Sequence, residues 1–190
     1  MSYLRAVTHL PTSALEAAAY RNRAVFEKEV RQMPDGTEAL FLRGPKDATD
    51  DNWIEDVRHV DYPVLAAKEW QAAKNALVHV RRAVQADMDR VPQYAGQELG
   101  PLGKAMIARL VPQGHIDWHI DHGTYAAKHW RFHLPLVTNP LAYAYAPGEA
   151  FHFPVGALFF QPSQILHSFV NFGQHAALHL VVDFRMPEAQ

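Results

Sequence analysis

From residue 61 to residue 90 the chain reads "DYPVLAAKEWQAAKNALVHVRRAVQADMDR", in which Trp70, Leu77, Val80, Val84 and Met88 fall on one face at helical spacing. This pattern predicts one long amphipathic helix, with Asp61 as N-cap and Pro63 in its first turn, covering a sheet. Earlier, "TSALEAAAYRNR" places Ser13 three residues before Glu16, a capping-box arrangement before an Ala-rich helix, and "EALFLRG" reads as a strand. After Gly103 the texture changes. The runs "KAMIARLV", "HIDWHI", "HWRFHLPLV", "LAYAYA", "AFHF", "ALFF", "LHSFVNF" and "ALHLVVDF" are short, β-like and separated by turn residues, among them Pro112, Gly114, Gly123, Pro140, Gly148, Gly156 and Gly173. Short strands at such spacing predict a β-sandwich or jelly roll with helices packed on one face.

Composition narrows the chemistry. At 190 residues the expectation is one domain, residues 1–190, with a helical and mixed part over 1–100 and the β core over 103–185. A formal charge of -2 supplies no basic footprint for nucleic acid. Zero cysteines exclude thiolate zinc sites and iron–sulfur clusters, so a bound metal must rely on His and carboxylate. The start, "MSYLRAVTHLPTSALE", lacks a basic stretch followed by an apolar core, and no window approaches a membrane span; a cytoplasmic protein without membrane partners is expected. The unusual count is twelve histidines, nine of them between His115 and His179.

Three of these lie in "GHIDWHIDHG", which repeats His-Ile-Asp at 115–117 and 119–121. In a regular strand His115, Asp117, His119 and Asp121 would share one face, with Ile116, Trp118 and Ile120 on the other. At ~3.3 Å per residue that column is about 20 Å long, too long for one ion. One pair only can bind. A turn at Pro112-Gln113-Gly114 puts His115 at the strand entry, and Gly123 follows Asp121 where the strand should open, so local pattern favours His119 and Asp121 without deciding the matter. A third ligand is available at His167 in "PSQILHSFVNFG". Two imidazoles and one carboxylate form the facial triad of non-haem Fe(II) oxygenases, which leaves coordination positions open. Elsewhere, Phe159, Phe160, Phe169 and Phe172 are expected in the core, and His122, His129 and His152 at the rim.

The stretch "ARLVPQGHIDWHIDHGTYAAKHWRFHLPLVTNP", followed by "FHFPVGALFFQPSQILHSFVNFG" and "HLVVDFR", resembles the aspartyl/asparaginyl β-hydroxylase-like family of Fe(II)- and 2-oxoglutarate-dependent oxygenases. A turn, His-x-Asp-x-Gly, Arg-x-His-x-Pro-Leu, Thr-Asn-Pro, Pro-x-Gly-x-Leu, a distal His and Asn-x-Gly occur in family order. The resemblance implies a mostly β fold with flanking helices around a double-stranded β-helix core of the jelly-roll, cupin-like type. It selects His119, Asp121 and His167 as iron ligands, and brings Arg131 and His133 to the cosubstrate. The implied reaction is hydroxylation of an unactivated C–H bond using Fe(II), 2-oxoglutarate and O2. The implied substrate is an amino acid or aspartyl/asparaginyl-like side chain in a small molecule or peptide.

One position departs from the family. An arginine is common ten residues after the distal histidine, where it holds the far carboxylate of 2-oxoglutarate, and residue 177 here is Ala. Same-face alternation from 177 reaches His179, so Arg131 is expected as main anchor with His133 and His179 as helpers. A guanidinium suits that task because its planar fork holds a carboxylate by two charge-assisted hydrogen bonds. The missing arginine leaves two other readings open, a non-catalytic metal-binding sensor or a non-oxidative cupin-type metalloenzyme.

Overall fold

All eight apolar runs after Gly103 form strands, and a computed structural model shows how they pair; it describes residues 5–22, 30–32, 37–47 and 53–187. In chain order the elements are β1 (Arg5–His9), α1 (Ser13–Arg21), β2 (Arg31–Gln32), β3 (Glu38–Pro45), β4 (His59–Asp61), α2 (Pro63–Ala66), α3 (Gln71–Met88), β5 (Leu102–Leu110) and β6 (His115–His119). They continue with α4 (Gly123–Ala126), β7 (His129–Val137), β8 (Ala142–Ala146), β9 (Glu149–His152), β10 (Ala157–Gln161), β11 (His167–Asn171) and β12 (Ala177–Arg185). Two antiparallel sheets result. The larger runs β1-β10-β7-β12-β5-β3-β2, with β4 paired to β3, and the smaller runs β6-β11-β8-β9. This is the double-stranded β-helix arrangement, and β1, β2, β3 and β4 extend its larger sheet from the N-terminal side.

The outer face of the larger sheet holds the main core. Leu40, Leu42, Ile107, Leu134, Leu136, Leu158, Leu180 and Val182 pack there against Trp70, Ala73, Leu77, Val80, Val84 and Met88 of the helical layer. Each fully buried aliphatic side chain contributes about 1.5–3 kcal/mol. The helical segment is interrupted, however. Pro63 opens α2, a 3-10 turn spans Lys68–Trp70, and Ala67 between them is extended at ψ 145°. Leu65 and Trp70 are five positions apart and would diverge on one straight helix; the break lets both reach the core, where they are 4% and 1% exposed. Asp61 ends β4 rather than capping the helix. At α1 the expected capping box is absent, since Ser13 is already helical and Thr12 at the N-cap makes no side-chain cap bond.

Two other expectations change. Phe172 is 54% exposed, because β11 ends at Asn171 and the next backbone N–H is taken by Leu141 O. His129 is buried, stacked on Tyr125 with ring centroids 3.9 Å apart. The Thr-Asn-Pro and Asn-x-Gly elements meet in one knot. Asn171 donates to the carbonyls of Leu110, Val111 and His175, while its own Oδ1 accepts from Asn139 and from the Gly173 N–H. A Cβ at Gly173 would come within 2.2 Å of the Asn139 amide, so any side chain there would push Asn139 out of the knot.

His59 on β4 lies with its ring 5.0 Å from that of Tyr125, and its buried Nε2 has no partner. Burial, followed by the positive charges of Lys104 and His129, holds it down to about 4 from an ordinary 6.5. The unfolded chain therefore binds this proton first, and stability that is complete above the ordinary value is lost as pH falls towards the folded one. Urea midpoints should fall on acidification from about pH 7 to about pH 5, with a shallower slope in His59→Phe.

Candidate metal centre and its cavity

β6 and β11 pair antiparallel with His119 directly opposite His167. Their ring centroids lie 4.2 Å apart. The next pair along is Ile116 with Phe169, so β6 spends three residues where β11 spends two, and this extra residue reverses the alternation of side chains. Ile116, His119 and Asp121 consequently face the space between the sheets, whereas His115 and Asp117 point to solvent with side chains 64% and 92% exposed. The regular single column predicted for the four polar residues does not form. Beyond the strand, the Asp121 N–H donates to Ser163 O at 2.9 Å, tying the acid to the loop that leads into β11.

Ligand atoms of His119, Asp121 and His167 all lie within 4.8 Å of one another. Each imidazole is oriented by the backbone two residues upstream: Nδ1 of His119 donates to Asp117 O at 2.8 Å, and Nδ1 of His167 to Ile165 O at 2.7 Å. A carbonyl can only accept, so Nδ1 carries the proton and Nε2 keeps its lone pair for a cation. Burial lowers the His167 pKa, which keeps this ring neutral.

Behind the acid stands a row of buried polar side chains across four adjacent strands. Arg131 on β7 is opposite Gln161 on β10 and opposite Asp183 on β12, and Lys104 follows on β5. Arg131 donates from Nη1 to Asp121 Oδ2 at 2.5 Å, and its fork grips Asp183 through Nε at 2.9 Å and Nη2 at 3.0 Å. Tyr125 adds a hydrogen bond to Asp183 Oδ2 at 3.1 Å. Burial by itself would raise the Asp183 pKa, but the Arg131 charge and hydrogen bonds hold it below the ordinary value. The guanidinium fork assigned from sequence to the cosubstrate thus faces Asp183, and Arg131 orients Asp121.

Deeper along the same strands, His133 and His179 approach with Nδ1 to Nδ1 at 3.3 Å. His133 lies beside the rings of Phe153 and Phe169, its Nε2 has no partner, and burial drives its pKa well below 6.5. Burial likewise lowers His179 to about 4. Both are neutral hydrogen-bonding groups. The cavity enclosing all six predicted site residues has a volume of about 290 Å³. Ala177 lines it, and among the described lining residues the lysine and arginine side chains are Lys104 and Arg131, both at the metal end. Sequence reading missed Asp183, Gln161 and Lys104. Their signal was alternation: 179, 181 and 183 share a face, as do 104, 106 and 108, so each lone polar residue in these apolar runs points inward.

Comparison with known proteins bears on this arrangement. The family model described as Aspartyl/Asparaginyl beta-hydroxylase matches residues 47–187. The chain belongs to this family. It is accordingly a hydroxylase, and Fe(II) with 2-oxoglutarate is the pair that its family and its His-Asp-His donor set fit. No curated protein sequence matches significantly. Among solved structures, the chain is similar to a Pseudomonas putida prolyl-4-hydroxylase, with a TM-score of 0.63 at 16% identity over 97% of this chain and 92% of the other. It is also similar to the viral collagen prolyl hydroxylase of Paramecium Bursaria Chlorella virus-1, solved as a 2OG complex, with 0.61 at 11% identity over 97% of each chain. A third, a Trichoplax adhaerens prolyl hydroxylase in complex with a hypoxia inducible factor peptide fragment, gives 0.59 at 10% identity over 98% of this chain and 84% of the other. At these identities the likeness is one of fold. No helix among the described residues is long and apolar enough to cross a membrane.

Removing one charge from a buried pair leaves the other uncompensated, typically at about 3–5 kcal/mol. Asp183→Asn should show a loss of that order in urea denaturation. Because the same change releases Arg131 from its orienting role, Mn(II) affinity measured by calorimetry should drop by roughly 10- to 100-fold.

Proposed function

We propose that the protein is an Fe(II)- and 2-oxoglutarate-dependent dioxygenase that hydroxylates an unactivated C–H bond of an amino acid or an aspartyl/asparaginyl-like side chain in a small molecule or peptide. The observation that carries this reading is the convergence of His119, Asp121 and His167 at one end of a mostly apolar cavity, with both imidazoles presenting Nε2. Such a set would hold Fe(II) through two neutral nitrogens and one carboxylate and leave further positions for cosubstrate and O2. Bound there, the metal and 2-oxoglutarate supply the oxidising power for attack on carbon, and the protein contributes geometry and a dry pocket.

The roles of the chain's own residues follow from their contacts. Arg131 keeps the Asp121 carboxylate in place and neutralises part of its charge. His133 and His179, neutral and buried beside the triad, offer hydrogen bonds to the cosubstrate, and the unpartnered Nε2 of His133 is the group with a bond still to make. Gln161 is 1% exposed, with neither its amide nitrogen nor its amide oxygen partnered; it presents a donor and an acceptor to whatever lies beside Arg131. Phe153 and Phe169 line this space, with Phe159 packed against Phe153 at 4.8 Å between ring centroids, and limit access of water.

The test is loss of chemistry together with loss of the metal complex. Wild-type protein given Fe(II) and 2-oxoglutarate without oxygen should develop the visible charge-transfer band of the chelate, and with oxygen it should release succinate. His167→Ala should abolish both while keeping the far-ultraviolet circular dichroism of the fold. Succinate formation retained in that variant would remove His167 from the ligand set.

A further inference from the structure

Lys104 is the ionisable group of the cavity for which the proposed chemistry has no use. It sits on β5, 9% exposed, at the bulge where Gly103 and Lys104 together face Asp183, and lines the cavity. Its ammonium donates to Trp53 O and lies over the Tyr125 ring at 3.7 Å and the Trp53 ring at 5.6 Å. Among the described residues no carboxylate forms an ion pair with it. The neighbouring Asp183 is already engaged, Oδ1 by Arg131 Nε and Oδ2 by Arg131 Nη2 and the Tyr125 hydroxyl. An ammonium has three donors, and keeping one charged in a buried site with no carboxylate bonded to it is costly, a cost that the nearby Asp183 and Asp121 charges offset only in part. Burial accordingly pulls its pKa to about 8.

The surroundings of Lys104 differ from those of the histidine pair. Phe41 of β3 lies opposite Met106 of β5, and Ala39 opposite Ala108, so two strands present one apolar wall beside the ammonium. Trp53 closes it, its ring 4.4 Å from that of Phe41 and under the Arg31 guanidinium at 5.8 Å, which holds the indole in place. Ile54, 40% exposed, carries this wall to the protein surface. Lys104 therefore stands on the β3 and β5 side of the cavity, whereas His133, His179 and Ala177 lie further along β7 and β12. A group held by Lys104 would extend its body over Phe41, Trp53 and Met106.

Resting on the Fe(II) and 2-oxoglutarate chemistry of the proposed reading and replacing its aspartyl/asparaginyl-like substrate, we infer that Lys104 binds the carboxylate of the substrate, and that the substrate class is a monocarboxylic acid with an apolar or aromatic body, N-acylated amino acids among them. The carboxylate completes the ammonium's hydrogen bonds in a low-dielectric site, and the apolar wall takes the carbon skeleton, placing its C–H bonds beside the triad. Recognition of this kind discriminates an acid from its neutral amide, since the amide cannot repay the buried charge.

Calorimetry with 3-phenylpropionate, N-acetyl-leucine and their primary amides tests this, using both metal-free protein and protein loaded with Mn(II) and 2-oxoglutarate. Wild type should bind the acids at least roughly tenfold more tightly than the amides, a margin of the size that charge-assisted hydrogen bonds supply. Lys104→Met should lose that margin, Lys104→Arg should keep part of it, and the affinity for 2-oxoglutarate should stay within about twofold in all three. Lys104→Gln, which preserves a polar side chain, guards against a Met variant that does not fold. Equal binding of acid and amide by wild type would overturn the inference. So would a loss of 2-oxoglutarate affinity in Lys104→Met or Lys104→Gln, which would make Lys104 the cosubstrate's anchor in place of the missing arginine. The oxygenase reading fails separately, through absence of the Fe(II) and 2-oxoglutarate band in wild type, and acid binding by the metal-free protein is read independently of it.

Discussion

A guanidinium sealed between two carboxylates holds this site together. Arg131 bridges Asp121, a triad residue on the loop after β6, to Asp183 in the middle of the larger sheet, and so fastens the metal ligands of one sheet to the framework of the other. In water such pairs contribute little, but here Asp183 is 2% exposed and the Arg131 and Asp121 side chains are mostly covered, so competing solvent is largely excluded. Because each partner would be costly to leave alone, the three charges act as one rigid unit. A freely moving carboxylate could meet an ion in many geometries; one held at 2.5 Å by a fixed donor meets it in few.

Around that unit the cavity is divided by polarity. The row Gln161, Arg131, Asp183 and Lys104 runs across four strands at one level, and the next level inward is Phe159, His133, Val181 and Met106. A row of charged and polar groups followed at once by a row of apolar and neutral groups gathers the charges beside the triad and leaves hydrogen bonding by uncharged imidazoles to the next level. The low pKa values of His133 and His179 follow from the same division, since burial there would make an imidazolium expensive.

Much of the framework could be read directly from the order of residues. Strand β7 was visible in "HWRFHLPLV", and β12 in "ALHLVVDF", because both faces of these strands are buried or semi-buried and the runs are mostly apolar. The edge strands β1, β2 and β4 were not visible. "RAVTH" is exposed at four of its five positions and carries no alternation to detect, so its pairing with β10 is set by tertiary contact. The helix over 61–90 was legible as a face but not as a kinked object, since periodicity reports which side chains are buried and is blind to a single ψ of 145° at Ala67.

What the sequence by itself determined was the ligand chemistry and the family: with no cysteine, and with His-x-Asp and a distal His in order, the donors had to be imidazole and carboxylate. Only the tertiary structure decided which way those donors face. Strict alternation would have put four polar residues in one column, and one extra residue in β6, visible only when β6 is laid against β11, sends His115 and Asp117 to solvent and Ile116 inward. It also decided what Arg131 holds. Asp183 lies 52 residues downstream, and the pairing of β7 with β12 that brings them together is a property of sheet order, which local spacing does not encode.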